Sequence, residues 1–215
     1  GLVDFQTAFA KSCNSSFADI ALNIHRFDFM KMLESLLFNK ALPVNFLSKQ
    51  SNISTELEDN DNVMIQTAIG QGTTQMTPLH LAMITAMIAN NGEMMIPYMI
   101  DHIETADGNI LKQFSPESLG QFISVEESNA LKTLMSAVVE EGTGTRLKSD
   151  GYRAAGKTGS AEYNNNSDSH AWFTGYTYDT DNPLQITIIM EGAGSGGEYA
   201  VPVVRRIFDQ YYSGR

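Results

Sequence analysis

Apolar residues recur at helical spacing from the start of the chain: Phe5, Ala8 and Phe9, then Phe17, Ile20, Ala21 and Ile24, then Phe29, Met32, Leu33, Leu36 and Leu37. That period predicts two or three helices over residues 2–38. Between 43 and 62 the periodicity fades and polar or acidic positions dominate, with Glu56 and the run Glu58, Asp59, Asn60, Asp61, so this stretch reads as solvated loop with short turns. Thr77 and Pro78 then look like an N-cap followed by proline at the first helical position, and a helix carrying Leu81, Ile84 and Ile88 runs to a stop at Asn90, Asn91 and Gly92. Asp107-Gly108 marks a tight turn, predicting a β-hairpin of residues 95–104 with 109–114. Ser124 and Glu127 form a capping box opening a helix through Leu131, Leu134, Met135 and Val138.

The last third changes period. Three strand-like runs, 152–162, 170–179 and 184–191, are separated by polar turns at 164–168 and 179–182. Short connections between consecutive strands make them antiparallel. Val203, Val204, Ile207, Phe208 and Tyr211 place a closing helix over 201–212. The fold class is thus α/β, more narrowly α+β, with a mainly helical part at 1–92 and a hairpin, helix and antiparallel sheet at 93–215.

Composition narrows the function. With 14 Lys+Arg against 25 Asp+Glu the formal charge is −11, and basic residues are scattered apart from Arg205-Arg206, which argues against a nucleic-acid binder. Cys13 is the single cysteine and reads as a packed small residue. No apolar run reaches the length of a membrane span. His25, His80, His102 and His170 lack zinc spacing, and no metal or cofactor is expected. His170 reads as a satisfied strand-edge residue, and Met83, Met87, Met94, Met95 and Met99 as core and strand fillers.

Candidate chemistry sits in two short motifs. Lys157-Thr158-Gly159-Ser160 lies on the first late strand, where a glycine suits close approach of a ligand laid along the edge. Ser12-Cys13-Asn14 lies at a helix end; a serine hydroxyl can relay a proton and an asparagine amide can hold a peptide carbonyl, although both residues are also ordinary caps. Each motif alone is weak. In chain order, however, Ser-x-Asn followed by Lys-Thr-Gly matches two of the three elements of penicillin-recognising serine enzymes. Gly70-Gln71-Gly72, Thr77-Pro78-Leu79-His80-Leu81-Ala82, Glu141-Gly142-Thr143-Gly144-Thr145 and His170-Ala171-Trp172-Phe173-Thr174-Gly175 extend the match over nearly the whole chain.

Together these segments resemble the transpeptidase domain of penicillin-binding proteins. The resemblance implies a serine-type D,D-transpeptidase that cross-links peptidoglycan stem peptides ending in D-Ala-D-Ala and binds β-lactam antibiotics. It implies that Ser12 shuttles a proton and Asn14 holds the acyl-donor amide. Lys157 and Thr158 would bind the terminal carboxylate, and Ser160 would give its backbone N–H to the oxyanion hole beside Gly159. The family's first element, Ser-x-x-Lys, is absent upstream of Ser12 and from the remainder of the chain. The expectation is therefore a C-terminal fragment, inactive alone, whose nucleophile lies in a missing N-terminal half. That half would also carry a membrane anchor, placing the enzyme on the extracytoplasmic face of a bacterial membrane. The fragment would expose residues 184–191 as an edge through which it self-associates. Other readings are a catalytically inactive β-lactam or stem-peptide sensor and, further behind, a serine β-lactamase, since nothing between the two motifs reads as the required glutamate loop.

Overall fold

The computed structural model describes residues 1–163 and 168–214. Most of the expected 164–168 turn lies outside the described residues. Three helices open the chain, α1 Phe5–Ala10, α2 Asn14–Asn23 and α3 Arg26–Ser35, as the apolar period requires. A fourth, α4 Asp61–Ala68, begins inside the stretch read as loop. It is only 8 residues long, too short to establish a period, and starts because Asn60 accepts from the N–H groups of Asn62 and Val63. The acidic run before it is largely exposed, yet Leu57 within it is fully buried. Asp61 lies in the first turn of α4 and pairs with Arg26. With α2 and α3 this helix encloses a small core of Ala21, Leu57 and Met64.

Helix α5, Pro78–Ala89, forms as expected, with the Thr77 hydroxyl accepting from the His80 N–H at 3.2 Å. It is apolar on most sides because it packs against the late sheet, α6 Val125–Glu141 and the short strand β1 Glu93–Met95. Both halves of the Ser124–Glu127 capping box at the start of α6 are present.

The expected hairpin over 95–104 and 109–114 is corrected to two separate ladders. β2 His102–Glu104 pairs with β3 Ile110–Gln113, whereas β1 pairs with β4 Ser118–Gln121. Pro97 explains the split: it has no N–H to donate, and the inner ladder ends with the bond from the Ile96 N–H to the Glu117 carbonyl, 2.8 Å. Met99, past that break, is 74% exposed rather than core, while Met83, Met87 and Met94 are buried.

The late sheet is antiparallel with order β5–β6–β7, made of Arg153–Ala161, His170–Tyr178 and Gln185–Met190. One face carries Ala154, Ala171 and Phe173 against α7 Val201–Ser213, which buries Val201, Val204 and Phe208. The other carries Ala155 and Tyr176 against Met83, Met87 and Met135 of α5 and α6. Among the described residues no helix is long and apolar enough to cross a membrane.

Candidate active site

Ser12 owes its position to the way α1 stops. After the C-cap Lys11, the Ser12 N–H donates to the Phe9 carbonyl at 3.2 Å and the Cys13 N–H to the Ala8 carbonyl at 2.9 Å. This bond pair is a Schellman stop, whose left-handed position ordinarily takes glycine. Here it is occupied by Ser12 at φ 56°. A side chain in that region costs on the order of 1 kcal/mol, a strain that concentrates where a side chain is needed.

The stop is anchored to the loop after α6. The Thr143 N–H donates to the Ala10 carbonyl at 3.1 Å, and the Lys11 ammonium reaches the Glu141 carbonyl. A Cβ on Gly142 would lie 2.2 Å from the Ala10 carbonyl oxygen, so glycine is what allows the two backbones to meet. From the same loop, Thr143 Oγ1 lies 2.5 Å from Thr158 Oγ1 and ties α1 to β5.

Those ties bring together residues 145 positions apart: Lys157 Nζ donates to Ser12 Oγ at 2.9 Å and to the Thr158 carbonyl at 3.2 Å. It also sits 5.7 Å from the centroid of the Phe9 ring, which favours the cation. Burial acts the other way and pushes the lysine down to about 8. Among the described residues no carboxylate forms an ion pair with it.

The other expected residues divide. Asn14 is exposed at the first position of α2, two residues beyond Ser12. Cys13 between them is the N-cap of α2 and half-buried, and a hydrogen bond from Ser16 holds its thiol below the ordinary range. Thr158 is buried with its hydroxyl against Thr143, on the opposite face of β5 from Lys157. Its side chain braces the strand. Gly159 does admit a close approach, but by the chain itself: a Cβ on Gly196 would lie 2.4 Å from the Gly159 carbonyl oxygen, and one on Gly159 would lie 3.2 Å from Trp172 Cβ. Ser160 is exposed, and its hydroxyl accepts from the Gly196 N–H at 3.2 Å. His170 is satisfied as expected, with Nδ1 accepting from the Gly192 N–H at 3.0 Å and its ring stacked on Tyr163 at 4.1 Å.

Two contributors carried no assigned role in the sequence reading. Thr143 is the hinge of the α1–β5 connection, and Gln71 reaches the end of β5, its Nε2 donating to the Ser160 carbonyl at 2.9 Å. Their signal was the glycine spacing around each, which marks a constrained loop without naming its partner. A cavity of about 940 Å³ lies elsewhere, lined by Ala86, Ser136, Tyr176 and Leu184 among others. It contains none of Ser12, Asn14 and the residues 157–160, so side-chain geometry and not cavity size defines the site.

Comparison with known proteins identifies the family. The sequence pattern of the penicillin binding protein transpeptidase domain matches residues 1–209. The peptidoglycan D,D-transpeptidase PbpA of Mycolicibacterium smegmatis is 28% identical over 211 residues, covering 94% of this chain and 43% of the relative. The D,D-transpeptidase domain of a peptidoglycan glycosyltransferase from Eggerthella lenta superposes with a TM-score of 0.84 at 26% identity, over 97% of this chain and 54% of that one. The ceftriaxone acyl-enzyme complex of penicillin-binding protein A from M. tuberculosis shares the fold, with a TM-score of 0.88 at 24% identity over 96% of this chain and 48% of that one. The chain thus spans about half the length of the proteins it matches or less. With the motifs in order, their side chains in contact and the pattern matched almost end to end, the chain belongs to the penicillin-binding protein transpeptidase family.

Proposed function

We propose that this chain supplies the Ser-x-Asn and Lys-Thr-Gly side of a peptidoglycan D,D-transpeptidase site whose nucleophilic serine comes from a Ser-x-x-Lys segment outside it. The observation that carries the reading is the contact of Lys157 with Ser12. A largely desolvated ammonium with no carboxylate partner, on the edge strand of a sheet, is a receptor for an anion, and a stem peptide ending in D-Ala-D-Ala presents a terminal carboxylate. In this reading Ser12, within hydrogen-bond reach of that lysine, passes a proton between base and leaving amine, and Asn14 holds the donor amide. The outward N–H of Ser160 serves as an oxyanion donor; loss of such a donor typically costs about 3–4 kcal/mol of transition-state stabilisation. The carbonyl carbon of the penultimate D-Ala is transferred to the serine oxygen, D-Ala leaves with the proton, and a second stem's amine then takes the acyl group. The enzyme works at the extracytoplasmic face of the membrane, where its substrate is.

Intact-mass analysis after penicillin treatment tests this. The full protein should gain one acyl adduct on the serine of Ser-x-x-Lys, and this chain alone none. No adduct on the folded full protein would favour the inactive sensor, and an adduct on this chain would place the nucleophile within it. β7 lies at the sheet's outer edge, where no described strand pairs with it. Residues 184–191 are therefore expected to take a partner strand, so that this chain alone self-associates. A monomer by light scattering at high concentration, with slow amide exchange over those residues, would exclude that.

A further inference from the structure

The loop Gly70-Gln71-Gly72 holds a side chain against the free edge of β5. Both glycines are left-handed, φ 74° and 76°, and the Gln71 N–H is fixed to the Gln66 carbonyl at 2.7 Å, at the end of α4. From there the Gln71 carboxamide makes two bonds to β5 and the residue following it: Nε2 donates to the Ser160 carbonyl at 2.9 Å, and Oε1 accepts from the Glu162 N–H at 3.1 Å. A C=O and the N–H two residues later are the pair that a neighbouring strand would engage, and a primary carboxamide carries the same acceptor and donor as one peptide unit. Gln71 thus occupies the place of one residue of an added strand.

Residues 158, 160 and 162 alternate outward, away from β6. The Thr158 carbonyl is taken by the Lys157 ammonium, and the Ser160 carbonyl and Glu162 N–H by Gln71. The Thr158 and Ser160 carbonyls are therefore engaged by donors, while the Ser160 N–H stays outward, three residues along the strand from Lys157. An edge prepared in this way accepts negative charge and stops an extended ligand from zipping further along the strand.

We propose that Gln71 is a positioning residue: its carboxamide clamps the end of β5, fixes the direction of the Ser160 N–H, and closes the edge beyond it. The inference rests on the transpeptidase reading for its effect on rate, and on geometry alone for the clamp. Two readouts in the full protein separate them. In Gln71→Leu, amide exchange at Glu162 should accelerate about tenfold, the loss of one hydrogen bond's protection, with little change in β6. The second-order rate of acylation by penicillin should fall about tenfold, carried by the acylation step and not by initial binding.

Gln71→Glu distinguishes positioning from bulk. Protonated, its carboxyl group offers both a donor to the Ser160 carbonyl and an acceptor to the Glu162 N–H; ionised, it keeps only the acceptor and sets a charge against the carbonyl. The Glu variant should therefore acylate nearly as the wild type relative to a matched control at low pH and lose that parity as the carboxyl ionises, a pH dependence absent from the Leu variant. Unchanged exchange at Glu162 in Gln71→Leu would overturn the clamp. Faster exchange with undiminished acylation would reduce Gln71 to a structural contact and overturn its positioning role. A wild-type protein that folds but never acylates would sink the transpeptidase reading while the exchange result still decides the clamp.

Discussion

Replacing Lys157 with methionine should reduce penicillin acylation of the full protein roughly a hundredfold while making the fold more stable at neutral pH. The catalytic half follows from the loss of a largely desolvated charge that would meet the ligand's carboxylate, an interaction whose truncation costs about 3 kcal/mol, or roughly a hundredfold. The stability half follows from linkage. Lys157 is held at about 8 by burial against an ordinary value of 10.5, so below pH 8 it is charged in both states and the folded state bears the cost of desolvating it. Between pH 8 and about 10.5 the native protein gives up its proton while the unfolded chain keeps it; the unfolded state then binds more protons, and native stability rises with pH. Methionine keeps most of the stem's volume and removes the charge. Allowing for lost bonds to Ser12 and the Thr158 carbonyl, the gain at pH 7 should be about 1–2 kcal/mol and should fall by roughly 2–3 kcal/mol on going to pH 10, where the variant becomes the less stable of the two because only the lost bonds remain. Denaturant midpoints of both proteins at pH 7 and pH 10 measure it. A variant less stable than the wild type at pH 7, or a difference that does not move with pH, would contradict the assignment. Ser12→Gly is the companion: relieving the left-handed strain should stabilise by about 1 kcal/mol while removing the hydroxyl that Lys157 contacts. Both changes would show residues kept at a cost to the fold.

Local signals were legible where one segment settles its own conformation. Thr77, Pro78 and the Ser124–Glu127 box fixed two helix starts because a cap is a matter of three or four residues. The sheet was legible because its strands follow one another in the chain. What escaped involves partners distant in sequence. β1 finds β4 across the small β2–β3 ladder, and Gln71 finds Ser160 at a separation of 89 residues; no period or composition announces either. Thr158 is different, since the information was present. Successive residues of a strand point to opposite faces, so Lys157 turns toward Ser12 while the Thr158 hydroxyl is buried against Thr143. Ser12 and Asn14 were singled out by motif as helix-end residues; the structure adds that the stop of α1 aims the Ser12 hydroxyl toward Lys157.

Phe173→Ala should be the most damaging single core change, costing 3–5 kcal/mol, at the upper end because the site has no way to close. Phe173 is fully buried between the sheet and α7, and its ring lies over the cross-strand pair Gly156 and Gly175. A Cβ on Gly156 would come within 2.4 Å of the Phe173 ring, and one on Gly175 within 2.7 Å, so the ring fills the space that two side chains would otherwise occupy. Refilling from the glycines is barred by backbone as well: the same Cβ atoms would stand 2.6 Å from the Thr174 carbonyl oxygen and 2.4 Å from that of Ala155. Gly156→Ala should therefore fail to rescue Phe173→Ala, which a pair of ring-only clashes would have allowed. Denaturant unfolding of the two single variants and the double decides the matter, and a double variant more stable than Phe173→Ala would show that the backbone oxygens yield. Because Gly156 precedes Lys157 on β5, disorder at this pair reaches the candidate site directly. Loss of the ring should also speed amide exchange along residues 155–160, so that Lys157 on one face of β5 and the aromatic ring on the other prove to depend on one strand.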